Sequence, residues 1–322
     1  MKGRIVRSLR SGAEVVSGES LRTELGVSRV TVWKHIQALG EMGYEIEATP
    51  RGYRLVSAPD IPFPWEMGAR ADRVHYFPEL DSTMTAARNL ARSGCPHLSV
   101  VVAGRQTRGR GRLDRRWISG DGGLYFTVVV RPDVPPMLAG RVNFVASLVL
   151  CRLLRERFGV DARTKWPNDI LANDRKICGL LSEMEAGDDR VAFVNAGIGV
   201  NVNNDPGSDE PGAVSLRELL GHPVSVRELL AAFLDAFEAR VSRLDEDVVS
   251  EWKTLTMTLG RNVRVVTVRE ERAGRAADVD PDGALILETA DGERHRVIYG
   301  DCFPAPESRN PAPSISEDDA PG

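Results

Sequence analysis

The chain has 322 residues, 42% hydrophobic and 27% charged, with a formal net charge of −4 at pH 7; that length suits two or three domains whose cores need no staples. The charge excludes a polycation, so any nucleic-acid contact has to come from a local patch. Four scattered cysteines (Cys95, Cys151, Cys178 and Cys302) with no CxxC pair exclude a sequence-evident zinc site or disulfide framework and predict free thiols in a reducing compartment. An apolar signal segment is missing at the start, and no run reaches the roughly 18 residues of a membrane span, so a cytoplasmic location without membrane contact is expected.

Residues 1–57 carry nine Lys/Arg against six Asp/Glu. Within them, Leu21 and Leu25 lie one turn apart, Gly26 permits a tight turn, and Ser28 suits the cap of a second helix whose Val32, Ile36 and Leu39 share a face. This pattern is a helix-turn-helix that leaves Arg29, Thr31, Lys34 and His35 outward, where such a helix offers groups to the major groove. The alternation of residues 44–55 around Thr49-Pro50-Arg51-Gly52 predicts a hairpin with a basic tip, the wing of a winged helix. Ser28, Arg29, Thr31, Lys34, His35 and Arg51 are therefore the candidate DNA-contacting residues.

Residues 58–65, APDIPFPW, read as a stiff proline-rich linker. From 66 to 257 strand-like and helix-like stretches alternate. Residues 98–103, 124–130 and 191–202 predict strands, and 141–159 and 226–244 predict long helices. Residues 258–303 predict short strands with turns at 281–283 and 291–292, as in a small barrel. Residues 304–322 are rich in proline, serine and acids and predict a disordered tail.

The segment GRQTRGRGRLDRRW, 104–117, places six arginines and three glycines in fourteen positions. Gly109 and Gly111 let backbone approach a ligand, and the forks of Arg110 and Arg112 match carboxylate or phosphate oxygens. Sequence-independent RNA binding is the rival reading. The sequence also contains FPELDSTM (77–84), TKWPNDILANDRKICGLLSEME (164–185) and NAGIGVNVN (195–203).

Together, in this order, these motifs resemble the biotin–protein ligases, in the bifunctional form that is also a biotin operon repressor. The resemblance covers residues 1 to about 303. It implies an α+β protein: an N-terminal winged helix-turn-helix, a central mixed α/β ligase domain like the class II synthetases, and a small C-terminal SH3-like β-barrel. It implies ATP, Mg²⁺ and biotin as cofactor and substrates. Its partners are a biotin carboxyl carrier protein with an acceptor lysine, operator DNA, and a second copy of the chain on adenylate binding.

By the same resemblance, Lys176 bridges the biotin carboxylate and the α-phosphate, and Arg112 clamps the anhydride; these are the catalytic candidates. Ser82, Thr83, Gln106, Arg110, Gly109, Gly111, Gly179 and Gly197, with Arg112 and Lys176, are assigned to biotin. A ureido ring offers one acceptor and two N–H donors, which hydroxyls and amides suit. Arg110, Arg112, Trp117, Lys176 and Asn201 are assigned to the adenylate, with Lys165 and Asp169 supporting Lys176. Three positions depart from the family pattern: Met84 for a polar residue, Arg108 for a small one, and Asp114 for glycine. A lipoate-type ligase and a non-enzymatic ligand-sensing regulator are the alternatives.

Overall fold

The computed structural model describes residues 1–11, 14–113, 115–187, 190–244 and 247–305. The first unit contains helices α1 (Lys2–Ser11), α2 (Gly18–Leu25) and α3 (Arg29–Glu41) and the antiparallel hairpin of β1 (Glu45–Thr49) and β2 (Gly52–Ser57). Helix α1, which the sequence reading did not single out, supplies Ile5, Val6 and Leu9 to a core completed by Leu21, Leu25, Val32, Ile36 and Leu39. Gly26 ends α2 at φ +68, the left-handed conformation that glycine adopts without cost. Ser28 caps α3 by accepting from Thr31 N. Arg51 sits exposed at the hairpin tip.

Residues 58–66 are packed rather than extended. Phe63 is buried, stacked on Trp65 at 5.0 Å and edge-on to Tyr76 at 5.1 Å. Asp60 caps the later helix Val226–Val241 by accepting from Ser225 Oγ (2.5 Å), Val226 N (2.6 Å) and Arg227 N (3.1 Å). Glu66, its side chain 1% exposed, receives Arg10 (2.8 Å), Arg227 (3.0 Å) and the Tyr44 hydroxyl (2.5 Å). Burial, then the Glu66 bond, raises the Tyr44 phenol above its ordinary range. The winged helix is thus bolted to the rest of the chain through one buried carboxylate.

The second unit is a seven-stranded sheet in the order β3-β4-β5-β9-β8-β7-β6. Its strands are β3 (Val74–Leu80), β4 (Ser99–Gln106), β5 (Leu124–Val130), β6 (Ala162–Lys165), β7 (Asp169–Ala172), β8 (Arg175–Ala186) and β9 (Val191–Val200). Only β3 and β4 pair in parallel. Helix α4 (Thr83–Arg92) covers one face through Ala87 and Ala91 against Val101, Val129 and Phe193. Helices α5 (Arg141–Phe158), α6 (Leu216–Leu220), α7 (Val226–Val241) and α8 (Val248–Lys253) complete the unit. On the other face α5, α7 and α8 join Val128, Val130, Ile198 and Val200 in the main core. The stretch Pro136–Phe158 does reach the length and apolarity of a membrane span, which the sequence reading did not expect; most of its apolar window is buried in this core.

The third unit is a five-stranded antiparallel sheet ordered β13-β12-β11-β10-β14. Its strands are β10 (Asn262–Val266), β11 (Glu271–Val279), β12 (Leu285–Glu288), β13 (Arg294–Val297) and β14 (Asp301–Pro304). The expected turns fall at Gly283 (φ +88) and Gly292 (φ +83). Pro304, placed in the tail from sequence, instead ends β14, and the bond from Ala305 N to Asn262 O carries the β10–β14 ladder one residue further; residues 306–322 lie outside the described residues. All four cysteines are free, and burial pushes the Cys151 thiol up to about 12 and Cys302 to about 11, so neither is a ready nucleophile.

Replacing Glu66 by alanine would strand Arg10, Arg227 and Tyr44 without their acceptor. Because both arginines remain partly exposed, the cost should be about 2 kcal/mol rather than the 3–5 of a fully buried broken pair. Hydrogen exchange of E66A should show amides of α1 and α3 exchanging roughly 30-fold faster while those of β5 and β9 keep their protection.

Candidate active site

A cavity of about 350 Å³ opens on the α4 side of the sheet, between the start of α4, the arginine loop, and strands β7, β8 and β9. One wall is hydroxyl and amide. Thr83 donates through N (2.8 Å) and Oγ1 (3.1 Å) to Gln106 Oε1, Thr127 Oγ1 donates to Thr83 Oγ1 (2.9 Å), and Gln106 Nε2 donates to Ser119 Oγ (2.9 Å). Ser82, the N-cap residue of α4, makes no capping bond, and its buried Oγ is unpartnered although it lines the cavity. A buried hydroxyl left unpaired beside a cavity is a group suited to a ligand's donor or acceptor.

The floor is glycine because side chains there would collide. A Cβ on Gly179 or Gly199 would come within 2.6 or 2.5 Å of the Trp117 ring, and one on Gly197 within 2.5 Å of Met84 Sδ. Met84 is 3% exposed, so this departure from the family pattern places an apolar side chain over Gly197. Trp117 lies across the floor between the loop and the strands.

The arginine loop is held by its own backbone. Trp117 N bonds Gly109 O (2.9 Å), Gly111 N bonds Arg115 O (2.7 Å), and Arg110 and Arg116 form a bridge. Arg110 reaches Glu183 (2.9 Å), whose other oxygen is taken by Arg88. Arg112 donates to Gly300 O (3.1 Å) and Asn168 Oδ1 (3.3 Å), and Arg115 pairs with Asp301 (2.5 Å). Burial lowers the Arg112 pKa, and Asp301 and Asp169 oppose that shift.

Lys176 enters from β8. The connection from β7 turns at Asn173 (φ +51) and Asp174 (φ +58), the positive-φ pair of a two-residue hairpin, which aims the start of β8 back under the cavity. Its Nζ lies 2.7 Å from Asp169 Oδ1 and 5.3 Å from the Trp117 ring. Asn201 is buried beside it, accepting from Asn204 Nδ2 (3.0 Å) and donating to Lys176 O (3.5 Å).

Of the sequence-derived candidates, Ser82, Thr83, Gln106, Arg110, Gly111, Arg112, Trp117, Asp169, Lys176, Gly179, Gly197 and Asn201 converge on this cavity. Two do not. Lys165 points instead over the Phe303 ring at 5.8 Å, because its place on β6 faces the C-terminal sheet. Gly109 lies in the outer bend of the loop, where its Cβ would meet Trp117 O at 2.4 Å; it shapes the loop rather than the cavity. Asp114 falls outside the described residues.

Three participants were missed. Asn168 lay inside a quoted motif but beside more conspicuous neighbours. Glu183 was buried in SEME. Asp301 belongs to the IYGDC end of the C-terminal unit, in which the sequence shows no catalytic constellation and to which the resemblance gives a part in ATP binding or carrier recognition; it contributes the acid that pins Arg115. In the N-terminal unit, Arg29 and Lys34 are exposed, Thr31 and His35 are half-buried, and the Ser28 and Thr31 hydroxyls bond each other at 3.0 Å.

A winged helix ahead of a mixed sheet with a cation-ringed cavity, followed by a small antiparallel sheet, defines a ligase carrying a DNA-binding module. Residues 3–54 match an HTH domain, 76–203 the Biotin/lipoate A/B protein ligase family, and 258–303 the Biotin protein ligase C terminal domain. The chain is 35% identical over 300 residues, 88% of its length and 92% of the relative's, to the bifunctional ligase/repressor BirA of Bacillus subtilis. It is 35% identical over 225 residues to a biotin–[acetyl-CoA-carboxylase] ligase of Paracoccus denitrificans, covering 66% of this chain and 93% of that one. Its fold aligns with the biotin protein ligase of Aquifex aeolicus in complex with biotin and ATP at TM-score 0.60 and 25% identity, over 72% of this chain and 97% of that one. The chain belongs to the biotin–protein ligase family, in its bifunctional ligase/repressor branch.

Asp301→Ala should free Arg112 and Arg115 to swing. An apparent KM for ATP raised roughly tenfold, with the fold intact, is expected from the loss of one charge-assisted contact; steady-state pyrophosphate exchange at varied ATP measures it.

Proposed function

We propose that this chain activates biotin with ATP, transfers it to a specific lysine of a biotin carboxyl carrier protein, and represses biotin genes with biotinyl-5′-AMP as corepressor. The observation that carries the enzymatic half is the convergence of Arg110, Arg112 and Lys176 on a cavity whose inner end is hydroxyl, amide and glycine. The polar wall of Ser82, Thr83 and Gln106 takes the ureido ring, and Met84, Leu181 and the glycine floor take the thiophane and valeryl chain. The carboxylate then lies toward Lys176 and the arginines.

In the first step a biotin carboxylate oxygen attacks the α-phosphorus of ATP and pyrophosphate leaves. Two anions have to meet, and fixed cations in a partly desolvated site stabilise the charge that develops between them. Lys176 bridges the two while its pair with Asp169 keeps it aimed, and Arg112 holds the phosphate. Trp117 faces the adenine and Asn201 the phosphates. In the second step the carrier lysine, as its neutral amine, attacks the acyl carbon, AMP departs with both electrons of the broken bond, and the new amide nitrogen releases a proton to solvent. Mg²⁺ would enter with ATP, whose triphosphate oxygens are suited to carry it; among the described residues there is no group of three or more His, Cys, Asp or Glu that could hold a metal. The chemistry it would supply is screening of the phosphate charge.

The winged helix takes operator DNA through α3 and the Arg51 tip, and two copies, joined when the adenylate closes the loop surface, present two recognition helices to two half-sites. These activities belong to the cytoplasm, where carrier and DNA meet. Pyrophosphate exchange with ATP, Mg²⁺ and either biotin or lipoate tests the ligase: biotin-dependent exchange supports it, and lipoate-dependent exchange transfers the reading to the related ligases.

Arg112→Gly should keep adenylate formation but release the adenylate, so that labelled biotin appears on bystander lysines; retained selectivity removes Arg112 from its role. Sedimentation with and without biotin and ATP should show mass action toward dimers only when both are present.

A further inference from the structure

Helix α3 has two faces. Val32, Ile36 and Leu39 are buried in the winged-helix core. The outward stripe, at spacings of three and four, is Val30, Trp33, Lys34 and Gln37. Val30 is 62% and Trp33 53% exposed, so two large apolar side chains stand one turn apart in water. Scattered apolar residues on a surface need no explanation, but a paired spot at the start of a recognition helix does.

Its surroundings are cationic. Arg29 precedes the spot, held by Glu19 at 3.0 Å, and Lys34 follows it; Arg51 projects from the hairpin tip of the same unit. A surface that is apolar at its centre and basic at its rim fits a polyanion whose groove carries apolar groups. In the major groove, the 5-methyl group of thymine is such a group, and the other three bases present only donors and acceptors there.

We infer that Val30 and Trp33 read thymine methyl groups in the operator by van der Waals contact, while Arg29, Lys34 and Arg51 hold phosphates. This inference rests on the repressor reading above. It assigns sequence discrimination to two apolar side chains rather than to the polar residues first singled out on this helix. Of those, Ser28 and Thr31 already spend their hydroxyls on the helix cap. Phosphate contacts position a helix but carry no sequence information directly, so the discrimination falls to the groups that touch base edges.

The test uses the full chain with biotin, ATP and Mg²⁺. Duplexes are selected from a random library, and each thymine of the best duplex is replaced in turn by uracil, which removes the methyl group and leaves the pairing edge. At one or two positions per half-site, uracil should weaken the wild type by about fourfold, the free-energy equivalent of one buried CH₂. The same replacements should leave Trp33→Ala or Val30→Ala unaffected. Lys34→Ala should weaken all duplexes alike and flatten the salt dependence by about one unit of slope. Both apolar variants should still transfer biotin to the carrier at the wild-type rate, which certifies their fold. Binding that ignores uracil everywhere, or loses equally to it in wild type and Trp33→Ala, overturns the inference while leaving the repressor reading standing. Recovery of no duplex at all overturns both.

Discussion

The structure is organised around one electrostatic constraint: a carboxylate and a triphosphate repel, and the site has to hold both. Its answer is to bring Arg110, Arg112, Arg115 and Lys176 together, which on its own would repel as strongly. The fold resolves this by giving the cations acids from separate elements: Glu183 on β8 to Arg110, Asp301 on β14 to Arg115 and, at longer range, Arg112, and Asp169 on β7 to Lys176. Two unit charges about 4 Å apart interact by about 4 kcal/mol at an effective dielectric constant of 20. Each pair therefore offsets much of the cost of holding four cations around one cavity.

The same logic explains the floor. Along β9, Ala196, Ile198 and Val200 face the main core, and Gly197 and Gly199 take the alternate positions facing the cavity. Strand periodicity of two thus writes a packed side and a bare side into one short motif. The bare side is required because Trp117 and Met84 sit where side chains would otherwise stand. A methyl group at either glycine would displace an aromatic ring or a sulfur, so these glycines are fixed by what lies above them rather than by backbone conformation.

Much of this was legible in the sequence. The strands at 124–130 and 191–200, the helices at 141–158 and 226–241, and the capped α3 follow from local pattern, which local physics sets. The residues that converge on the cavity were found through motifs in which several functional groups are close in sequence. What was not legible has long-range partners. Gly300 accepts from Arg112 across 188 positions, and nothing local marks the IYGDC segment as a neighbour of the arginine loop. Lys165 was misread for the converse reason: its neighbour Asp169 does reach Lys176, but the intervening Trp166-Pro167 turn places Lys165 on an edge strand facing Phe303. Proximity in sequence across a turn says little about direction. Glu66 was read only as the residue after the linker, and the fold shows that its carboxylate is surrounded.

That buried carboxylate bears on how a ligand in the cavity can control the winged helix. The cavity lies on the α4 face of the sheet, whereas Glu66 and Asp60 grip the N-terminal end of α7 on the opposite face. Swinging the recognition helix on a hinge would break the Glu66 bonds to Arg10, Arg227 and Tyr44 and uncap α7, a cost of several kcal/mol that ligand binding on the far face has no contact to repay. Pairing two chains through a surface next to the arginine loop breaks none of these bonds. In the pairing proposed above, with each winged helix rigid on its own ligase domain, the pairing geometry alone would set the spacing of the two recognition helices. The lock that makes the single chain stiff would then let occupancy of a distant site be read as a distance along DNA.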